Sequence, residues 1–117
     1  MPGFEDLAVW QRAVDLSASV YRAMNNSKDF AFRDQICRSA LSIPSNISEG
    51  MERSTIPDQA RFLDYARASA GEFRTQAIVG QKAGFLTPAI VEPWISESRQ
   101  LSAMIQGLIR SLGPRKE

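Results

Sequence analysis

The sequence predicts an all-α fold, an antiparallel up-down-up-down four-helix bundle, on three observations. Apolar residues recur at spacings of three and four along almost the whole chain, the period of helices and not of strands. Breaking signals fall at three interior places: Asn25-Asn26-Ser27, Gly50 to Pro57, and Ala83 to Pro88. The segments between them are about 20 to 27 residues, roughly 30 to 40 Å each, and short connections make such neighbours antiparallel. At 117 residues the chain reads as one domain over 1–117, large enough for a core without metals or disulfides.

The first helix is expected from about Asp6 to Asn25. Leu7, Trp10, Val14, Ser17, Tyr21 and Met24 form one stripe, and Val9, Ala13, Leu16 and Val20 form a second beside it. Together they cover half the circumference, wider than a minimal core face, which points to two neighbours in the bundle or to another subunit. Gln11, Arg12, Asp15, Ser19 and Arg22 fill the outer half. Asparagine tolerates the left-handed turn that ends helices, so Asn25-Asn26 closes this one.

Ser27 or Asp29 then caps a second helix from Phe30 to Glu49 or beyond. Phe32, Ile36, Ser39, Ile43 and Ile47 face the core. Pro44 removes a backbone donor and crowds the carbonyl of Ala40, so a kink or a break is expected there. Gly50 is the expected C-terminal cap.

Thr55 and Asp58 resemble a capping box with aspartate in place of glutamate, and Pro57 is tolerated in the first turn of the third helix. Its core stripe is Phe62, Leu63, Ala66, Ser69, Ala70, Phe73, Ala77 and Gly80, small enough in places for close helix approach; Ala83-Gly84 ends it. Thr87-Pro88 opens the fourth helix, cap then proline. Ile90, Trp94, Leu101, Ile105, Leu108 and Leu112 form its stripe, and Pro93 disturbs only its first two turns. Gly113-Pro114 stops it, leaving a frayed tail at Arg115-Lys116-Glu117.

Composition narrows the functions. There is no histidine, which removes the commonest general base and metal ligand, and the Glu-x-x-His pattern of di-iron bundles cannot occur. A single cysteine, Cys37, excludes a thiolate metal site and an internal disulfide. No Gly-rich phosphate loop is present. The chain therefore reads as non-enzymatic, with no catalytic residues, cofactor or metal. The first residues have an early acidic pair and no basic n-region, and no apolar run approaches a membrane span, so cytoplasmic residence without a membrane partner is expected. Net charge is +1, yet eleven of the fourteen cations are arginine, the residue suited to bidentate ion pairs.

The stretch from Gln35 to Arg53 is the most distinctive. Beside the Ile36, Ile43 and Ile47 stripe runs a polar line of Gln35, Arg38, Ser42, Asn46, Glu49 and Arg53. Such groups beside a core must be paired or lose stability. Glu72 and Gln76, one turn apart on the third helix, are the partners expected for Arg38 or Asn46. The line reads as a polar network that fixes helix register; its functional alternative is a ligand cleft. A second apolar strip on the same helix, Phe30, Cys37 and Leu41 with Pro44, reads as an interface and, with the wide first-helix face, predicts a homo-oligomer. Without a histidine in the chain Cys37 has no obvious activator and reads as a packed or interfacial thiol.

An ordered set of motifs adds a family resemblance. Phe4-x-x-Leu7-x-Val9-Trp10-Gln11-x-Ala13 is followed by Tyr21 and by Gln35-Ile36-x-Arg38-Ser39-Ala40. Then come Ser42-Ile43-Pro44-Ser45-Asn46-Ile47-Ser48-Glu49-Gly50, Arg61-Phe62-Leu63-x-Tyr65-Ala66-x-Ala68-Ser69, Glu72, Gln76 and Gly84-Phe85-Leu86. With these the chain resembles the 23S rRNA intervening-sequence proteins; Phe73, where that family often has leucine, is a conservative departure. The resemblance implies an antiparallel bundle assembling as a homopentamer, of unassigned biochemical role and with no catalytic residues to carry over. The related accessory variability determinant proteins of diversity-generating retroelements use a similar pentamer to bind nucleic acid and a reverse transcriptase. Those relatives are strongly basic and this chain is not.

Three functions follow as expectations, the third being small-molecule binding at the Asn46, Glu49 and Glu72 seam, which requires a real pocket there. The first is an oligomeric interaction or scaffold protein whose partner is itself. The second is an accessory protein binding RNA, or a nucleic-acid enzyme, through Arg61, Arg67, Arg74 and Lys82, with Asp64 the only acid among these outward charges.

Overall fold

Four helices make up nearly all of the structure, a computed structural model that describes residues 3–113. They are α1 (Ala8–Met24), α2 (Phe30–Met51), α3 (Ile56–Lys82) and α4 (Pro88–Arg110), preceded by a 3₁₀ turn at Phe4–Asp6. No strand occurs among the described residues. The expectations for Pro114 and the 115–117 tail lie outside them.

The helices pack as a bundle of 49 × 25 × 21 Å. The most extensive seam joins α2 to α3, followed by α3 to α4 and α1 to α2, while α1 touches α4 more sparingly. One core runs through the seams. It includes Val20, Ile36, Ile43, Ile47, Leu63, Phe73, Val91, Leu101 and Ile105, all fully buried. Phe73 meets Trp94 with ring centroids 5.6 Å apart.

Sequence and structure part at several places, each for a local reason. The first helix begins at Ala8 rather than Asp6. Residues Phe4–Asp6 form the 3₁₀ turn instead, held by Phe4 packing edge-on against Trp10 at 5.3 Å and by Gln11 Nε2 donating to Glu5 O at 2.7 Å. On α1 the Val9, Ala13, Leu16 and Val20 stripe is the buried one, joined by Ser17 and Met24. Tyr21 is exposed.

Helix α2 passes unbroken through Pro44. Gly50 does not cap it but lies buried inside it, and its φ is not positive. A Cβ there would stand 3.1 Å from the Gln59 carbonyl oxygen and 3.2 Å from Phe62 Cβ, so Gly50 serves close approach to α3. Asp29 occupies the N-cap position of α2 without a side-chain cap bond, and Ser27 Oγ accepts from Asp29 N.

The Thr55 cap of α3 forms as expected, with Asp58 N donating to Thr55 Oγ1 at 3.3 Å. Asp58 itself turns to Arg61. At the other end Gly84 takes φ +85°, and the amides of Phe85 and Gly84 donate to the carbonyls of Gly80 and Gln81. This crossed pair is the Schellman termination that favours glycine. On α4 the buried residue of the first turn is Val91, and Ile90 faces outward. Ser98 is fully buried on the same face.

Candidate functional site

The α2–α3 seam brings together five of the eight residues of the predicted polar network. Gln35, Arg38 and Ser42 on α2 and Glu72 and Gln76 on α3 line one cleft with Ala31 and Ser39, a space of about 430 Å³. The cleft exists because α2 repeats polar residues at spacings of three and four beside its Ile36–Ile43 stripe. That register sets them against the i, i+4 pair Glu72 and Gln76.

Its internal bonding differs from the expectation. Ser39, assigned to the core by sequence, makes the link across the seam, donating from Oγ to Gln76 Oε1 at 2.6 Å. Ser42 Oγ turns back to the Arg38 carbonyl at 2.9 Å. Asn46 Nδ2 donates to the Ser42 carbonyl at 2.9 Å. Among the described residues neither Arg38 nor Asn46 bonds to Glu72 or Gln76, because Asn46 is spent on its own helix and Arg38 reaches no carboxylate within 4.0 Å.

The lower part of the line forms a separate cluster. Glu49 pairs with Arg53 at 3.2 Å. The Arg53 guanidinium lies 4.4 Å from the centre of the Phe62 ring, and Gln59 Nε2 donates to its carbonyl. Arg53 Nε is buried without a hydrogen-bond partner. Stacking on an aromatic face accommodates a guanidinium whose donors are not all used.

The three interface candidates divide. Phe30 and Leu41 are exposed, but Cys37 is buried within the subunit. It lines a groove between α1 and α2 of about 460 Å³, together with Tyr21, Met24, Asn25, Arg33, Asp34, Arg38 and Leu41. Burial pushes the Cys37 thiol above the ordinary cysteine range, partly offset by nearby Arg33.

The four proposed nucleic-acid contacts do not form a free basic belt. Arg61 is held by Asp58 at 3.0 Å, lies over Phe62 and donates to Tyr65 Oη, which raises its pKa further. Arg67 is held by Asp64 at 2.8 Å. Asp64 is thus not the only acid near these cations. Arg74 is half-buried and turns to α4, donating from Nη1 to Ser98 Oγ at 3.1 Å. Lys82 is exposed.

Sequence reasoning missed one feature. Arg12, placed on the outer half of α1, grips Glu97 of α4 through two bonds, Nη2 to Oε1 at 2.6 Å and Nε to Oε2 at 2.9 Å. Gln100 Oε1 accepts from the same Nη2. The hydrogen bond to Glu97 holds the Arg12 pKa above its ordinary value. The available signal was the Glu97 and Gln100 pair, an acceptor set on one face of α4 at i, i+3.

No group of three or more Cys, Asp or Glu side chains among the described residues could hold a metal ion, and no helix there is long and apolar enough to cross a membrane. Among curated proteins none matches the chain. A crystal structure of a protein of unknown function from the S23 ribosomal protein family of Bacteroides thetaiotaomicron VPI-5482 shares the fold. It has a TM-score of 0.83 at 20% sequence identity, with 89% of this chain and 100% of that chain covered. The model of the 23S rRNA-intervening sequence protein family matches residues 5–107, and the chain belongs to that family.

Proposed function

We infer that the chain is a non-catalytic interaction protein whose first partner is itself. In this reading the four helices run antiparallel, up-down-up-down, and the bundles associate side by side. The observation that carries it is exposed apolar surface on α1 and α2: Tyr21 and Leu41, which line the groove between them, are 47 and 46% exposed, and Phe30 at the start of α2 is 59% exposed. Large apolar side chains left exposed on neighbouring helices mark a contact surface. Cys37, at the edge of that groove, adds to its apolar lining. The family resemblance supports a subunit number of five, and the absence of histidine supports a non-catalytic, scaffold-like role.

Sedimentation velocity at micromolar concentration tests this. The parent chain is expected to sediment as a single oligomer and the Phe30→Glu/Leu41→Glu variant as a folded monomer. A monomeric parent overturns the reading.

Nucleic-acid binding is the second reading, and repetition of arginines around an oligomer supports it. Against it, Arg61, Arg67 and Arg74 are already engaged within the subunit. Phosphate-driven binding weakens steeply with salt. An RNA complex at low salt that dissolves at moderate salt, and is absent in Arg67→Glu/Arg74→Glu, would establish this reading; no binding at low salt would remove it.

A further inference from the structure

We propose that the α2–α3 cleft is a binding site for a small zwitterion of the free amino-acid class. The cleft has opposite charges on opposite walls, Arg38 on α2 and Glu72 on α3. Within one seam such a pair is expected to close into a salt bridge, yet no ion pair within 4.0 Å joins them, and neither side chain makes another hydrogen bond or ion pair among the described residues. Both side chains are exposed in the single subunit, Arg38 standing between this cleft and the α1–α2 groove, whose lining it shares, and Glu72 facing this cleft alone.

Between the charges the cleft is polar and partly organised. Buried Ser39 bonds Gln76 through its Oε1, fixing that amide with its Nε2 unspent within the chain. The Gln35 side chain makes no hydrogen bond among the described residues and adds a second free amide. Ser42 is turned to its own backbone and adds little. Beneath this layer lie the fully buried Ile36, Ile43, Phe73 and Ala77, which hold both helices in place.

These groups select their ligand by chemistry. A guanidinium receives a carboxylate in a two-bonded fork. A carboxylate receives an ammonium. A solute with only one of the two charges satisfies one wall and brings its charge toward the like-charged wall. A phosphate or a nucleic-acid strand meets repulsion from Glu72. The lining lacks an aromatic ring, which disfavours a nucleobase. A solute with both charges and a polar body pairs with each wall and with the amides between them.

The test is a titration of the isotopically labelled full chain, followed by amide and side-chain NMR, with each common L-amino acid up to about 10 mM, a range that captures millimolar affinity. Acetate and ethylammonium serve as single-charge controls. The expected result is that at least one amino acid shifts the resonances of Gln35, Ser39, Glu72 and Gln76, while both controls bind at least about tenfold more weakly. Arg38→Gln and Glu72→Gln should each weaken binding about tenfold or more, with an unchanged melting temperature. The proposal is overturned if no amino acid shifts these resonances, if acetate or ethylammonium shifts them equally, or if the two variants bind like the parent.

Discussion

Arg12 and Glu97 join the first helix to the last through two hydrogen bonds of 2.6 and 2.9 Å, across 85 positions of sequence. Both side chains are partly exposed, at 38 and 28%. Exposed pairs contribute at most about 1 kcal/mol, and two-bonded geometry places this one near the top of that range. Arg12→Ala and Glu97→Gln should each lower stability by about 1 kcal/mol. A double-mutant cycle in urea should return a coupling of about 0.5 to 1 kcal/mol that shrinks in high salt. Zero coupling at low salt would mean that the clamp has no energetic role.

Helical glycines should respond to alanine in opposite directions. At Gly107 a Cβ meets nothing within 4 Å, so Gly107→Ala should stabilise by up to about 1 kcal/mol through helix propensity. At Gly80 a Cβ would lie 2.5 Å from Phe32 Cζ and 2.9 Å from Leu86 Cδ1. Phe32 is also packed against Phe85 at 5.2 Å, which restricts its retreat. Gly80→Ala should cost about 1 to 3 kcal/mol, and Phe32→Leu should recover part of that loss. Equal effects at both positions would contradict the close-packing account.

Phe73 is the largest fully buried side chain, and it packs on Trp94. Phe73→Ala should cost about 3 to 5 kcal/mol. If the variant remains folded, Trp94 should emit at longer wavelength as water reaches the vacated space. A variant as stable as its parent would place the core elsewhere.

Cys37 gives a prediction in pH. Burial raises its thiol pKa in the folded chain. A raised acid means that the unfolded chain loses the proton first, so this contribution to stability is present below the ordinary cysteine pKa. It fades as pH rises through that value toward the folded one. Alkylation by iodoacetamide at mildly alkaline pH should be at least about tenfold slower in the native chain than in urea. Cys37→Ser should flatten the alkaline fall in stability. Native labelling as fast as in urea would show an accessible, unperturbed thiol.

The helices were legible because breaking and capping chemistry is local. Asn25-Asn26, Thr55 with Asp58, Ala83-Gly84 and Thr87-Pro88 all mark ends within two residues of those observed, although Asn25 is right-handed rather than left-handed and Thr87 makes no side-chain cap bond. Gly50 misled because the same residue type serves a left-handed cap or a close helix contact, and only the position of Gln59 and Phe62 distinguishes them. The polar line on α2 was legible as a line but not as two clusters. Whether Asn46 reaches across to α3 or back to Ser42 depends on rotamers that spacing does not encode. Arg12 was assigned to solvent because a long side chain can leave the outer face of its own helix and reach a neighbour, which periodicity cannot register.

The sparse α1–α4 seam also sets an order of events in time. The other major seams join consecutive helices, whose closure spans short loops and comes early, whereas the Arg12–Glu97 contact waits for both ends of the chain. Loosening that clamp should therefore accelerate unfolding and leave the refolding rate nearly unchanged. The bundle should open first along the seam where its two terminal helices meet.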